Sequence, residues 1–172
     1  MPIDTSNANN LNKVLTLDKK TSAKRGADIL PLLGDDYTNN YKHIEAVNSI
    51  YLGINETKYN IVRGEIAKKI NGYKSQDIKK NILDIDSFVT LDSVIEMLVV
   101  GRLKCHYCHC NMALIYSEVR QPNQWTLDRI DNSCGHNNNN VVTACLKCNL
   151  ERRTTNKDAF MFTKNLRINK IG

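Results

Sequence analysis

Two Cys-x-x-Cys pairs constrain this chain more than any other feature. Cys105-His106-Tyr107-Cys108 opens a stretch that Cys145-Leu146-Lys147-Cys148 closes. A two-residue spacer turns both thiolates of a pair toward one point, so two pairs can close one tetrahedral zinc site. Cys105, Cys108, Cys145 and Cys148 are therefore expected to be structural Zn²⁺ ligands; four buried reduced thiols without a metal would be a poor account of that spacing. The 36 residues between the pairs exceed the roughly 15–20 of a simple zinc ribbon. They leave room for a β-hairpin with chemistry of its own. His106, His109 and Cys110 are near enough to compete as ligands, but each reads as a bystander. Cys134, in the turn Asn132-Ser133-Cys134-Gly135, reads as a free thiol.

With 172 residues the chain is expected to form one domain, or a small domain with an appendage. Met1 to Asn12 is polar and has no apolar stretch of the secretory kind, and apolar runs such as Met97 to Val100 are too short to span a bilayer. Six cysteines then read as reduced, partly metal-bound thiols of an intracellular protein, cytoplasmic or nuclear, neither secreted nor in a membrane. The net charge of +6 is unevenly placed: residues 1–100 carry 13 Lys/Arg and 13 Asp/Glu, whereas residues 101–172 carry 11 against 5. A basic C-terminal part beside a neutral one fits a polyanion partner, or a basic surface kept for solubility.

The pattern predicts an α+β chain in three parts: a loosely ordered N-terminal arm over 1–40, a helical scaffold over 41–100 and a zinc-stapled domain over 101–172. In the arm, Leu11 to Leu17 reads as a short helix or strand, and Pro31 and Gly34 punctuate its C-terminal end. Ile44, Val47, Ile50 and Tyr51 recur at helical spacing. A second helix is expected from about Lys58 to Ile70, stopped by Gly72, and a short third one from a Ser75 cap through Ile82 with Asp77 in its first turn. Thr90 should cap a fourth, Leu91 to Val100, with Leu91, Val94, Ile95, Leu98 and Val99 buried and Gly101 as its end. Thr126 to Ile130 and Val141 to Ala144 read as the strands of a hairpin around a turn-rich loop. A short helix begins near Cys145 or Asn149, and a last one, capped by Thr155 or Asn156, carries Phe160, Met161, Phe162 and Leu166 back onto the zinc knuckle. Trp125 reads as buried beneath the hairpin.

This arrangement should set Asn149 facing Asp128 across a small gap. A carboxylate and an amide oxygen, completed by water and phosphate oxygens, suit Mg²⁺, which takes few protein ligands. Arg152, Arg153, Lys157, Lys164, Arg167 and Lys170 read as phosphate contacts, with Lys147 beside them.

Cys-x-x-Cys, Leu127-Asp128-Arg129-Ile130-Asp131-Asn132, Gly135-His136, Asn140-Val141-Val142 and Cys-x-x-Cys-Asn149, in that order, resemble the HNH family of ββα-metal (His-Me finger) endonucleases in its zinc-containing form. The likeness covers about residues 91–165. It implies metal-dependent hydrolysis of DNA, duplex or branched, with Mg²⁺ or Mn²⁺ held by Asp128 and Asn149 and with Asn140 bracing the hairpin loop. One active site per chain implies nicking, or a homodimer that cuts both strands. The chain departs from the pattern at Arg129, which stands where the family has its general-base histidine; arginine stays protonated and takes no proton from water. Either His136 serves as the base from the loop, or metal-bound water attacks unaided with Arg129 clamping the phosphate. Such Asp-Arg-Ile-Asp variants look like those of phages and large DNA viruses. A catalytically silent module that binds DNA or RNA is the alternative expectation.

Overall fold

The computed structural model describes residues 29–34 and 40–166. Apart from 29–34 and Asn40, the expected N-terminal arm, including 11–17, lies outside the described residues. The fold is α+β, in the order α1 (Leu30–Leu33), α2 (Asn40–Tyr51), α3 (Thr57–Lys79), α4 (Leu91–Val100), β1 (Trp125–Arg129), β2 (Val141–Cys145), α5 (Leu146–Arg152) and α6 (Lys157–Asn165). Helices α2, α3 and α4 pack on one another, and one continuous apolar core joins them to the hairpin and the cysteine-bearing segments. None of the described helices is long and apolar enough to cross a membrane.

The sequence pattern predicts two helices where α3 is one. Gly72 does not stop it, because a glycine inside a helix costs only about 1 kcal/mol against alanine. The buried stripe carries on past it: Tyr59, Val62, Ile66, Ile70, Tyr73 and Asp77 follow one another at three- and four-residue steps. Gly72 lies on the exposed side of that stripe. Ser75 donates to the Asn71 carbonyl at 3.0 Å and caps nothing. Asp77 therefore sits in the last turn, facing inward. In α2 the buried face is His43, Ala46, Val47 and Ile50, and Tyr51 is exposed. Helix α4 keeps the expected stripe and starts with a capping box between Thr90 and Ser93.

β1 and β2 are antiparallel, with Trp125 opposite Cys145 and Arg129 opposite Val141. A two-stranded sheet leaves unpaired backbone on its edges, and α3 covers that of β1. Tyr73 Oη accepts from the Leu127 N–H at 3.1 Å, and the Lys69 ammonium donates to the Trp125 carbonyl while lying over the Trp125 ring. Asn156 caps α6 through the Asp158 and Ala159 N–H groups. Phe160 meets the Tyr107 ring edge-on at 5.0 Å, whereas Phe162 and Leu166 remain exposed.

Candidate metal centre and adjoining carboxylate site

The first knuckle is a tight turn. Cys105 N–H donates to the Cys110 carbonyl and His109 N–H to the Cys105 carbonyl, with His109 at φ 56°. The second knuckle is the start of α5, where Cys145 Sγ caps the helix by accepting from the Cys148 N–H. The backbone of the two knuckles is tied where His106 N–H reaches the Thr143 carbonyl at 2.9 Å. The sulfurs of Cys105, Cys108, Cys145 and Cys148 all lie within 4.8 Å of one another, and those of Cys108 and Cys145 are 3.9 Å apart. A tetrahedron with zinc–sulfur bonds of about 2.3 Å has edges of about 3.8 Å, so the set fits zinc. His106, His109 and Cys110 are not part of it.

The Cys145 hydrogen bond holds Cys105 down to about 4. Burial, with the Cys105 charge next in weight, pushes Cys148 up to about 12, and the hydrogen bond to Cys105 together with burial raises Cys145. A cation binding here must displace protons from Cys145 and Cys148. Cys134 is exposed and free.

Further along the hairpin, Thr126 and Asp128 share a face, because alternate strand residues do. Asn149 and Arg152, one helical turn apart on α5, meet that face. The Asn149 amide nitrogen donates to Thr126 Oγ1 at 3.1 Å and to the Leu127 carbonyl at 3.2 Å. Its amide oxygen takes no hydrogen bond from the described residues. Asp128 is 3% exposed and is held three ways. Arg152 Nε donates to Oδ2 at 2.5 Å and Nη2 to Oδ1 at 2.9 Å, while Tyr107 Oη donates to Oδ2 at 2.6 Å. Burial, reinforced by that bond, keeps the Tyr107 phenol protonated well above its ordinary range. Arg152, only 1% exposed, also donates to the Thr155 carbonyl at 2.7 Å and to that of Arg129. Asp128 raises its pKa further.

Arg152 was expected among the surface phosphate contacts, and its place is a correction. A buried carboxylate needs a counter-charge, and the helical phase that brings Asn149 to β1 brings Arg152 to Asp128. Lys147 and Arg153 are exposed and Lys157 half-buried; Arg167 and Lys170 lie outside the described residues. Lys164 pairs with Glu151. Arg129 Nη1 donates to the Asn132 and Cys134 carbonyls at 3.3 and 3.1 Å, which ties one arm of its guanidinium to the loop.

His136 is not brought to this face either. Its ring Nδ1 lies 2.8 Å from Asp77 Oδ1, its N–H donates to Asp77 Oδ2 at 2.6 Å, and the ring stacks on Tyr73 at 4.6 Å. Burial lowers its pKa, with Asp77 opposing. Gly135 permits the approach: a Cβ there would meet the Ile82 carbonyl at 2.7 Å and Asp77 Oδ2 at 2.9 Å. Asn140 spans the loop with bonds from its amide to the Asp131 and Gly135 carbonyls and from the Asp131 N–H to its oxygen, all at 2.9 Å.

No family model and no solved structure matches the chain. It is similar to R423, an uncharacterized protein of Acanthamoeba polyphaga mimivirus, with 30% identity over 109 residues; the match covers 63% of this chain and 17% of the viral protein. The chain thus spans a small part of that relative's length. A similarity to a giant-virus protein is in keeping with the viral or phage source expected from the sequence.

For a hard divalent cation, Asp128 and Asn149 offer a fitting donor pair, a carboxylate and an amide whose oxygen is left over once its nitrogen is satisfied. The fit comes with a competitor in place, the Arg152 guanidinium.

Proposed function

We propose that the chain is a metal-dependent DNA endonuclease of the HNH, ββα-metal type, with zinc holding the fold and Mg²⁺ or Mn²⁺ at the Asp128–Asn149 face. One observation carries the reading. On a two-strand, one-helix unit clamped by four cysteines, a carboxylate of β1 and an amide of α5 share one face. When bound, the divalent cation stabilises the charge that develops on the phosphate and the departing oxygen. The rest falls to the chain. Asp128 and Asn149 would hold the cation. Thr126 and the Leu127 carbonyl fix the amide by its nitrogen, which leaves its oxygen without a hydrogen bond among the described residues, and Tyr107 orients the carboxylate. Lys147, Arg153 and Lys157 would contact phosphates, giving affinity without sequence preference. With Arg129 in place of histidine and His136 held against Asp77 and Tyr73 of α3, away from the Asp128 carboxylate, attack proceeds without a general base, about 10²–10⁴-fold more slowly than with one.

A second reading, binding of DNA or RNA without hydrolysis, is favoured by the buried Arg152–Asp128 pair. Plasmid nicking with Mn²⁺ separates the two. Nicking by the wild type that disappears in Asp128→Ala supports hydrolysis. A folded, zinc-loaded wild type that is retained on DNA in a salt-dependent way, yet cuts no duplex, branched or single-stranded substrate, leaves the binding module.

A further inference from the structure

We infer that Arg152 is a built-in competitor for the divalent cation: its guanidinium and the metal contend for the same Asp128 carboxylate. The inference rests on the proposed cation site and assigns it a regulation. Three observations support it. Both Asp128 oxygens are engaged by Arg152, with bonds of 2.5 and 2.9 Å, and Oδ2 also accepts from Tyr107, so a cation approaching the carboxylate contends with the guanidinium for its charge and its lone pairs. Asn149, on the same α5 face, is held by its amide nitrogen, and its oxygen carries no hydrogen bond among the described residues. Arg152 is the last residue of α5, and its Nη1 already bonds the carbonyl of Thr155 in the exposed segment 153–156.

The exchange is electrostatically feasible. A buried ion pair contributes little net stability, because desolvation of both ions offsets their attraction; what is costly is an uncompensated charge. A divalent cation taking over from Arg152 never leaves Asp128 alone. Two cations at one buried carboxylate repel each other, so the released guanidinium moves outward, where water or a phosphate oxygen receives it. A resting chain therefore binds the divalent cation weakly, and a nearby phosphodiester favours the exchange by accepting Arg152.

The test is Mn²⁺ binding by the zinc-loaded full chain, read by electron paramagnetic resonance and calorimetry, for wild type, Arg152→Gln, Arg152→Lys and Arg152→Gln with Asp128→Asn. Arg152→Gln should bind Mn²⁺ at least about tenfold more tightly than wild type. Arg152→Lys, which keeps the charge but not the two-pronged grip, should fall between them, and adding Asp128→Asn should abolish the gain. Circular dichroism and zinc content verify folding; Arg152→Lys carries the test if the glutamine variant does not fold. Equal Mn²⁺ affinity in wild type and the folded Arg152 variants would overturn the inference, as would a gain that survives Asp128→Asn. Plasmid nicking scored alongside keeps the two proposals apart. An Arg152→Gln chain that gains Mn²⁺ and cuts nothing upholds the competitor and ends the hydrolytic reading. A wild type that cuts while binding Mn²⁺ as tightly as Arg152→Gln does the reverse.

Discussion

The two ends of the β1–β2–α5 unit handle the same electrostatic problem in opposite ways. At the cysteine end, four sulfurs converge within 4.8 Å of one another. Among the described residues no side chain pairs with these sulfurs as Arg152 does with Asp128; the Lys164 ammonium feels the Cys148 and Cys108 charges from its pairing with Glu151, and the set has the shape to take a metal. At the carboxylate end, Asp128 is as buried as Cys105, Cys145 and Cys148, Cys108 alone being exposed, and the chain supplies its own cation in Arg152. Both ends hang on one seven-residue helix, α5, whose first turn carries Cys148 and whose last carries Arg152. The difference shows what each site asks of its surroundings. The cysteine end offers a set that could hold a metal ion such as zinc, whereas the carboxylate end already has its counter-charge.

The largest effect should come from breaking the cysteine end. Removing zinc with a chelator, or replacing Cys145 with Ser, should take away on the order of 10 kcal/mol of folding free energy. Circular dichroism should then show loss of the hairpin and α5; retention of both without metal would make the ends alike after all. Affinity for zinc should also fall with acid, because protons compete for Cys145 and Cys148, both raised above the ordinary thiol range. At the carboxylate end, Arg152→Ala alone should destabilise by about 3–5 kcal/mol by leaving Asp128 buried and unpaired. The double replacement Asp128→Leu with Arg152→Met should recover most of that loss. Urea melts arranged as a double-mutant cycle measure the coupling, and additive losses would mean that the two residues are not a pair.

A smaller effect tests whether the loop docked on α3 steadies the carboxylate end. Gly135→Ala sets a Cβ against the Ile82 carbonyl at 2.7 Å and should cost about 1–3 kcal/mol, read as a lowered urea midpoint. The smallest effect is the pH response of His136. Burial lowers its folded pKa, so the unfolded chain binds the proton more readily. The stabilising contribution is whole above the unfolded value of about 6.5 and declines as pH falls below it. One proton gives a slope of at most about 1.4 kcal/mol per pH unit. Urea midpoints between pH 7 and 5 should flatten in His136→Phe; an unchanged slope would assign the titration elsewhere.

The zinc end was legible because its information is local: two fixed spacings imply one point of convergence. The strands were legible as short runs on either side of a turn-rich loop, and the short helix that carries Asn149 was legible in the chain that follows the second knuckle. Arg152 was not, since Glu151-Arg152-Arg153 has the composition of a solvated surface. The missed signal was phase: if Asn149 faces β1, so does the residue three positions on. Asp77 was hidden by Gly72, which looks like a helix end. Tracing the stripe from Tyr59 through Tyr73 one step further would have placed Asp77 inside, but only the folded chain shows that a loop nearly sixty residues downstream supplies its partner, His136.

The cover that α3 lays along β1 limits how two copies could associate. With the Leu127 amide and the Trp125 carbonyl already bonded, that strand has no ready seam for a neighbouring molecule to zip onto. A twofold assembly made on this side of the hairpin would have to meet through side-chain surfaces, and so would be sensitive to point changes there and indifferent to backbone complementarity.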